Sequence, residues 1–189
     1  MTDSSRAVRW LLAAIQVPAS PSRYRVAIWR ELRKIGAVPL GGGVWAAPAA
    51  PVFATGFDRV AELVAKAEGQ VLSFDGRPRD GLSEASLLEM FNAARTEEWA
   101  EFASECDKFE AEIAKERHIG KLTVAELDEE EHSLDRLRRW ARELKARDIF
   151  TVAEGVHAEE RLKRCQEVLD GYATEVYQAV HAPLGTESV

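Results

Sequence analysis

The chain has 189 residues, 46% of them hydrophobic and 30% charged. That is too apolar for a disordered segment and long enough for one ordinary domain or two small ones. The longest apolar run, Trp10 to Val17, is too short to span a bilayer and lacks a small-residue cleavage site, so a cytoplasmic protein with no membrane partner is expected. Net charge is −7 but unevenly spread: residues 1–80 carry eleven Lys/Arg and seven Asp/Glu, residues 81–189 fourteen and twenty-five. The acidic total argues against nucleic-acid binding. The basic first part weakens that argument, because a phosphate responds to charge within a Debye length.

Residues 1–7 are polar and read as a frayed terminus. Val8 to Val17 reads as a buried strand stopped by Pro18 and Pro21. Ser20 before Pro21 gives a hydroxyl cap and a Pro at the first helical position. The helix that follows has Tyr24, Ile28, Leu32 and Ile35 at helical spacing, with Val26 and Trp29 widening the stripe, and Gly36 ends it. Ala37–Leu40, Gly41-Gly42-Gly43 and Val44–Ala47 form a hairpin signature closed by Pro48 and Pro51. Phe57, Val60, Ala61, Val64 and Ala67 mark a second helix ended by Gly69, and Gln70–Phe74 a fourth strand. The order predicts an α+β fold whose first part is a ferredoxin-like βαββαβ antiparallel sheet sandwich.

After a turn-rich connector, Asp75-Gly76-Arg77-Pro78, all is helical. Residues 83–117 carry a seam of Leu87, Leu88, Phe91, Trp99, Phe102, Cys106, Phe109 and Ile113. Thr123-Val124-Ala125-Glu126 is a capping box opening a helix with Leu127, Leu134, Leu137, Ala141 and Leu144 on one face. A third helix carries Ala158, Leu162, Cys165, Leu169, Tyr172, Val176 and Ala179. Pro183 and Gly185 mark a loose tail. The expected arrangement is a domain over residues 1–80 and a three-helix antiparallel region over 81–189, with the boundary near Gly76–Leu82. All five tryptophans are expected in the core. Cys106 and Cys165, far apart and without a CxxC, are expected as reduced buried thiols.

Arg23, Arg25, Arg30, Arg33 and Lys34 crowd the first helix. They are candidate DNA phosphate contacts. The rival reading is a solvated face whose Trp29 and Tyr24 pack inward. Arg23 and Arg25 near the helix start oppose the macrodipole, a small conflict that favours a purpose beyond stability. The triglycine turn lacks the Lys-Ser/Thr and helix start of a phosphate loop. None of the four histidines has a ligand partner at helical spacing. No nucleophile elbow, paired-carboxylate motif or dinucleotide fingerprint occurs, so no catalytic residue, metal or cofactor is expected and the chain is not read as an enzyme.

Trp10-Leu11-Leu12, Pro18-Ala19-Ser20-Pro21-Ser22-Arg23-Tyr24-Arg25-Val26, Trp29-Arg30, Gly36-Ala37-Val38 and Gly43-Val44-Trp45 together resemble the N-terminal domain of the ChrB family of chromate-resistance regulators. The same run is similar to the central domain of PaaX-type repressors and, through it, to a small CRISPR adaptation nuclease fold. Phe91, Ala94-Arg95, Glu97-Glu98, Leu137, Trp140, Ala146-Arg147-Asp148, Phe150 and Arg164-Cys165 resemble the helical part of ChrB-like chains. The resemblance implies chromate-responsive transcription regulation. Full family members commonly carry a further C-terminal domain, and a complete sensor-regulator is expected to need one in addition to these residues. The nuclease likeness would put a metal-binding Asp at the end of the first strand, where Ile15-Gln16-Val17 stands instead, so two-metal phosphodiester chemistry is not expected.

With chromate implied, Arg136, Arg139, Arg142 and Arg147 become oxyanion candidates, since guanidinium forks suit a tetrahedral dianion. The alternative is that the arginines of this helix pair with Glu126, Asp128, Glu129, Glu130 and Glu131 and with neighbouring helices. Two functions of different kind follow: a ChrB-like regulatory or accessory protein, forming a dimer through the sheet or the helices and acting on DNA or a partner protein, or an interaction module that touches no nucleic acid. A phosphodiesterase-fold relic is a third.

Overall fold

The computed structural model describes residues 8–181; the expected frayed start at 1–7 and loose tail around Pro183 and Gly185 lie outside them. Strand β1 (Trp10–Gln16), helix α1 (Ser22–Ile35), strands β2 (Val38–Gly41) and β3 (Val44–Pro48), helix α2 (Pro51–Lys66) and strand β4 (Gln70–Gly76) follow in order. The strands form one antiparallel sheet in the order β2-β3-β1-β4. Succession and strand order are those of the ferredoxin-like sandwich inferred from the sequence. Helices α3 (Gly81–His118), α4 (Val124–Arg147) and α5 (Ala153–His181) complete the chain. No described helix is long and apolar enough to cross a membrane.

Local chemistry accounts for most boundaries. Gly41, Gly42 and Gly43 all take positive φ in the hairpin turn, which only glycine does without strain. Two ends differ from expectation. Pro21 is itself the N-cap of α1, in extended conformation, and no side chain caps the helix; the start moves one residue on and leaves Ser20 outside it. The left-handed residue after α2 is Glu68, at φ 55°, rather than Gly69. Gly69 is required for another reason: a Cβ there would stand 2.6 Å from the Gln16 carbonyl oxygen. The capping box of α4 forms by half. The Thr123 hydroxyl accepts from the Glu126 amide at 3.3 Å, while the Glu126 carboxylate turns to Lys121.

The chain packs into two compact units. The first holds the described residues up to Arg95 together with Ala146–Phe150, so the first turns of α3 belong with the sheet. Its core joins Trp10, Ala13, Trp45, Phe53, Val60 and Val64 to Phe91 of α3. Phe91 meets Trp10, Phe53 and Phe150 edge to face, at ring separations of 6.0, 5.8 and 5.6 Å. Ile35 of α1 packs so closely on α2 that a Cβ on Gly56 would stand 2.5 Å from its Cγ2. The second unit holds Thr96–Lys145 and the described residues from Thr151 onward. Phe102 lies against Trp140 at 5.5 Å, and Arg138 bonds Gln166, so consecutive helices run antiparallel. Thr96 with Glu154 and Arg117 with Glu175 show that α3 and α5 then run parallel. Its core includes Trp99, Phe102, Ile113, Leu134, Leu144 and Tyr172, with Cys106 and Cys165 as buried free thiols.

Candidate nucleic-acid interface

Helix α1 buries one stripe, Ile28, Leu32 and Ile35, with Tyr24 half-buried beside it. At 3.6 residues per turn, Ser22, Arg25, Val26, Trp29 and Arg33 fall on a different stripe. Trp29 is 53% exposed and Val26 is 43% exposed, a correction to the expectation that both belong to the core. The apolar stripe is narrower than the spacing suggests: Val26 lies nearly opposite Ile35 around the helix. Trp10, Trp45 and Trp99 are buried as expected, and Trp140 is half-buried.

All five candidate cations, Arg23, Arg25, Arg30, Arg33 and Lys34, are exposed on α1. The helix carries one acid, Glu31, and Arg59 of α2 neutralises it at 2.9 Å. The face is therefore cationic throughout, and it interleaves aromatic rings. The Arg33 guanidinium carbon stands 5.7 Å from the Trp29 ring centre and that of Arg23 4.9 Å from Tyr24. Ser22, Arg25, Val26 and Trp29 line a shallow cleft of about 260 Å³.

The C-terminus of α1 is held by two arginines from distant sequence. Arg95, only 2% exposed, donates to the Gly36 carbonyl at 2.9 Å and stacks on Phe91, its guanidinium carbon 4.6 Å from the ring centre. Arg147 donates to the Lys34 carbonyl at 2.9 Å. Guanidinium groups here satisfy orphan carbonyls and complement the negative end of the helix dipole. Gly36, at φ 84°, gives them room: a Cβ would stand 2.8 Å from Arg147 Cδ and 3.1 Å from Arg95 Nη1.

The oxyanion candidates do not converge. Arg147 belongs to the sheet-bearing unit, where it serves α1. Arg136 bonds the Ser133 hydroxyl at 3.1 Å and borders a groove of about 450 Å³ between α3 and α4 that also holds Glu105, Glu112 and Glu130. Arg139 is exposed outside both grooves of the helical unit. Arg142 lines a second groove of about 450 Å³, between α4 and α5, with Arg138, Lys145 and Lys163 around Trp99 and Leu162. Arg138 pairs with Asp135 at 2.9 Å, Lys145 with Glu159, and Lys163 with Glu167 at 3.8 Å.

In the helical unit the acids missed by sequence reasoning are Glu116 and Glu130, 4% and 7% exposed. Burial, reinforced by Glu116 and Glu112, pushes Glu130 up to about 7. Glu116 is raised by burial and by its hydrogen bond with Glu126.

A family model described as "Protein ChrB, N-terminal" matches residues 25–183, which covers α1 from Arg25, strands β2 to β4 with α2, and all three long helices, and leaves out β1. The chain belongs to the ChrB family. A relative in the family, Protein ChrB of Cupriavidus metallidurans (strain CH34), is 27% identical over 122 residues, 65% of this chain. The chain spans 37% of that ChrB protein's own length. The matched region holds Arg25, Trp29, Arg30, Arg33 and Lys34 of the cationic face together with Arg95 and Arg147, while Arg23 lies just before it.

Proposed function

We propose that this ChrB-family chain is a cytoplasmic chromate-resistance protein, regulatory or accessory, that acts in transcription by holding DNA on the outer face of α1. The observation that carries this reading is the face itself: five exposed cations on one helix whose single carboxylate is already paired with Arg59. Phosphates meet a cationic surface there despite the acidic total. No catalytic role is assigned to any residue. A fluorescence-anisotropy titration with duplex DNA from the promoter region of its own operon, at two salt concentrations, tests it. Binding should weaken with salt. The double substitution Arg25→Ala with Arg33→Ala should lower affinity about equally on all sequences and reduce the log–log salt slope by about 2. No binding at low salt leaves the rival, a protein-interaction module that touches no nucleic acid.

The oxyanion reading narrows to the α4–α5 groove, favoured by its four cations against the single carboxylate of Glu159. Arg142, whose guanidinium has no acidic partner among the described residues, would be the group that takes the dianion. Calorimetric titration should give a chromate signal that sulfate does not reproduce and that Arg142→Ala abolishes. An identical heat with the variant would remove Arg142 from this role.

A further inference from the structure

Trp29 is large, apolar and half in water on a helix that buries Ile28, Leu32 and Ile35 on a different stripe. Val26, 43% exposed, lines the same cleft, so the two make an apolar spot rimmed by guanidinium groups, the kind of patch that marks a contact surface. The surroundings limit what that surface contacts. Arg25 and Arg33 stand one turn before and one turn after it, and Arg33 approaches its ring at 5.7 Å. No carboxylate lines the cleft beside it, and Glu31 is engaged by Arg59. A cationic ligand is therefore repelled, and an anionic partner is the one the charges favour. The indole offers a flat π-face, which a phosphate does not need and an acidic side chain does not match.

In a duplex the base faces are covered by their neighbours and only edges reach the grooves. A single strand offers what this face fits: exposed base planes for the ring and phosphates for the flanking guanidinium groups. We propose that α1 binds unpaired nucleic acid, with one base stacked on Trp29 inside the cleft of Ser22, Arg25 and Val26 and the adjoining phosphates on Arg25 and Arg33. This rests on the reading of α1 as a nucleic-acid contact and sharpens it to single-stranded or locally opened DNA.

The test uses the full chain and three labelled probes of equal length: a thymidylate strand, the same strand with abasic sites replacing its bases, and a duplex. The thymidylate strand should bind tighter than either of the others. Trp29→Leu should weaken thymidylate binding by roughly fivefold or more and leave the abasic strand unchanged. Trp29→Phe, which keeps a ring, should restore most of the loss. If thymidylate and abasic strands bind equally with a normal salt dependence, stacking on Trp29 is overturned while phosphate contact by α1 stands. If no probe binds at low salt, both readings fall.

Discussion

Phe91→Ala is expected to destabilise the sheet-bearing unit by about 3–5 kcal/mol. Phe91 is fully buried and, among the described residues, is the one ring in edge contact with three others, Trp10 of β1, Phe53 of α2 and Phe150 beyond α4. Its loss leaves a cavity walled by aromatic side chains that cannot close on it. It also removes the ring under Arg95, whose guanidinium holds the Gly36 carbonyl. Urea unfolding followed by tryptophan fluorescence measures the effect, since Trp10 sits at the cavity. Phe91→Leu should cost less, because it keeps most of the volume. A loss below about 1 kcal/mol for the alanine variant would mean that the start of α3 is dispensable to this core. By the same argument, a fragment ending at residue 80 lacks Phe91, Arg95 and Phe150 and so lacks one wall of its own interior.

The division inside α3 shows where sequence stops informing. Strands, hairpin and helices are legible because periodicity changes from two to 3.6 and glycines mark the turns. The unit boundary is not, since α3 is apolar at helical spacing on both sides of Arg95 and periodicity does not name the partner. Arg95 itself carried a signal: it stands four residues after Phe91 and four before Trp99, on the seam, where a cation must satisfy something buried. Which carbonyl it serves is a long-range fact. The candidate site was half legible. Its cations are evident from composition, but the outward place of Trp29 is not, because a tryptophan beside an apolar stripe widens that stripe on paper. The four oxyanion candidates share a helix, but they fan over about 140° of it, and Arg136 and Arg147, on nearly the same azimuth, are about three turns apart.

Glu130 was hidden differently. It lies in the run Asp128-Glu129-Glu130-Glu131, which reads as a solvated face, yet it follows Leu127 by three residues and precedes Leu134 by four, which is the buried spacing of α4. Its carboxyl is raised from the ordinary 4.5 to about 7, chiefly by burial and then by the charges of Glu116 and Glu112. The sign follows from linkage. Below about pH 4.5 the group is protonated folded or unfolded and costs nothing. As pH rises towards 7 the unfolded chain releases the proton while the folded chain keeps it, so stability falls; above 7 the folded state bears the full cost of a buried charge, about 3 kcal/mol. Glu130→Gln keeps the shape without the charge. The helical unit of this variant should match the wild type near pH 4.5 and exceed it by about 2 kcal/mol near pH 8, since burying the amide offsets part of the gain. Glu116 is raised in the same direction, so the variant should retain a shallower decline with pH rather than none. Urea midpoints by circular dichroism across that range measure it, and a variant less stable than the wild type at pH 8 would show that Glu130 is held there as a needed carboxylate.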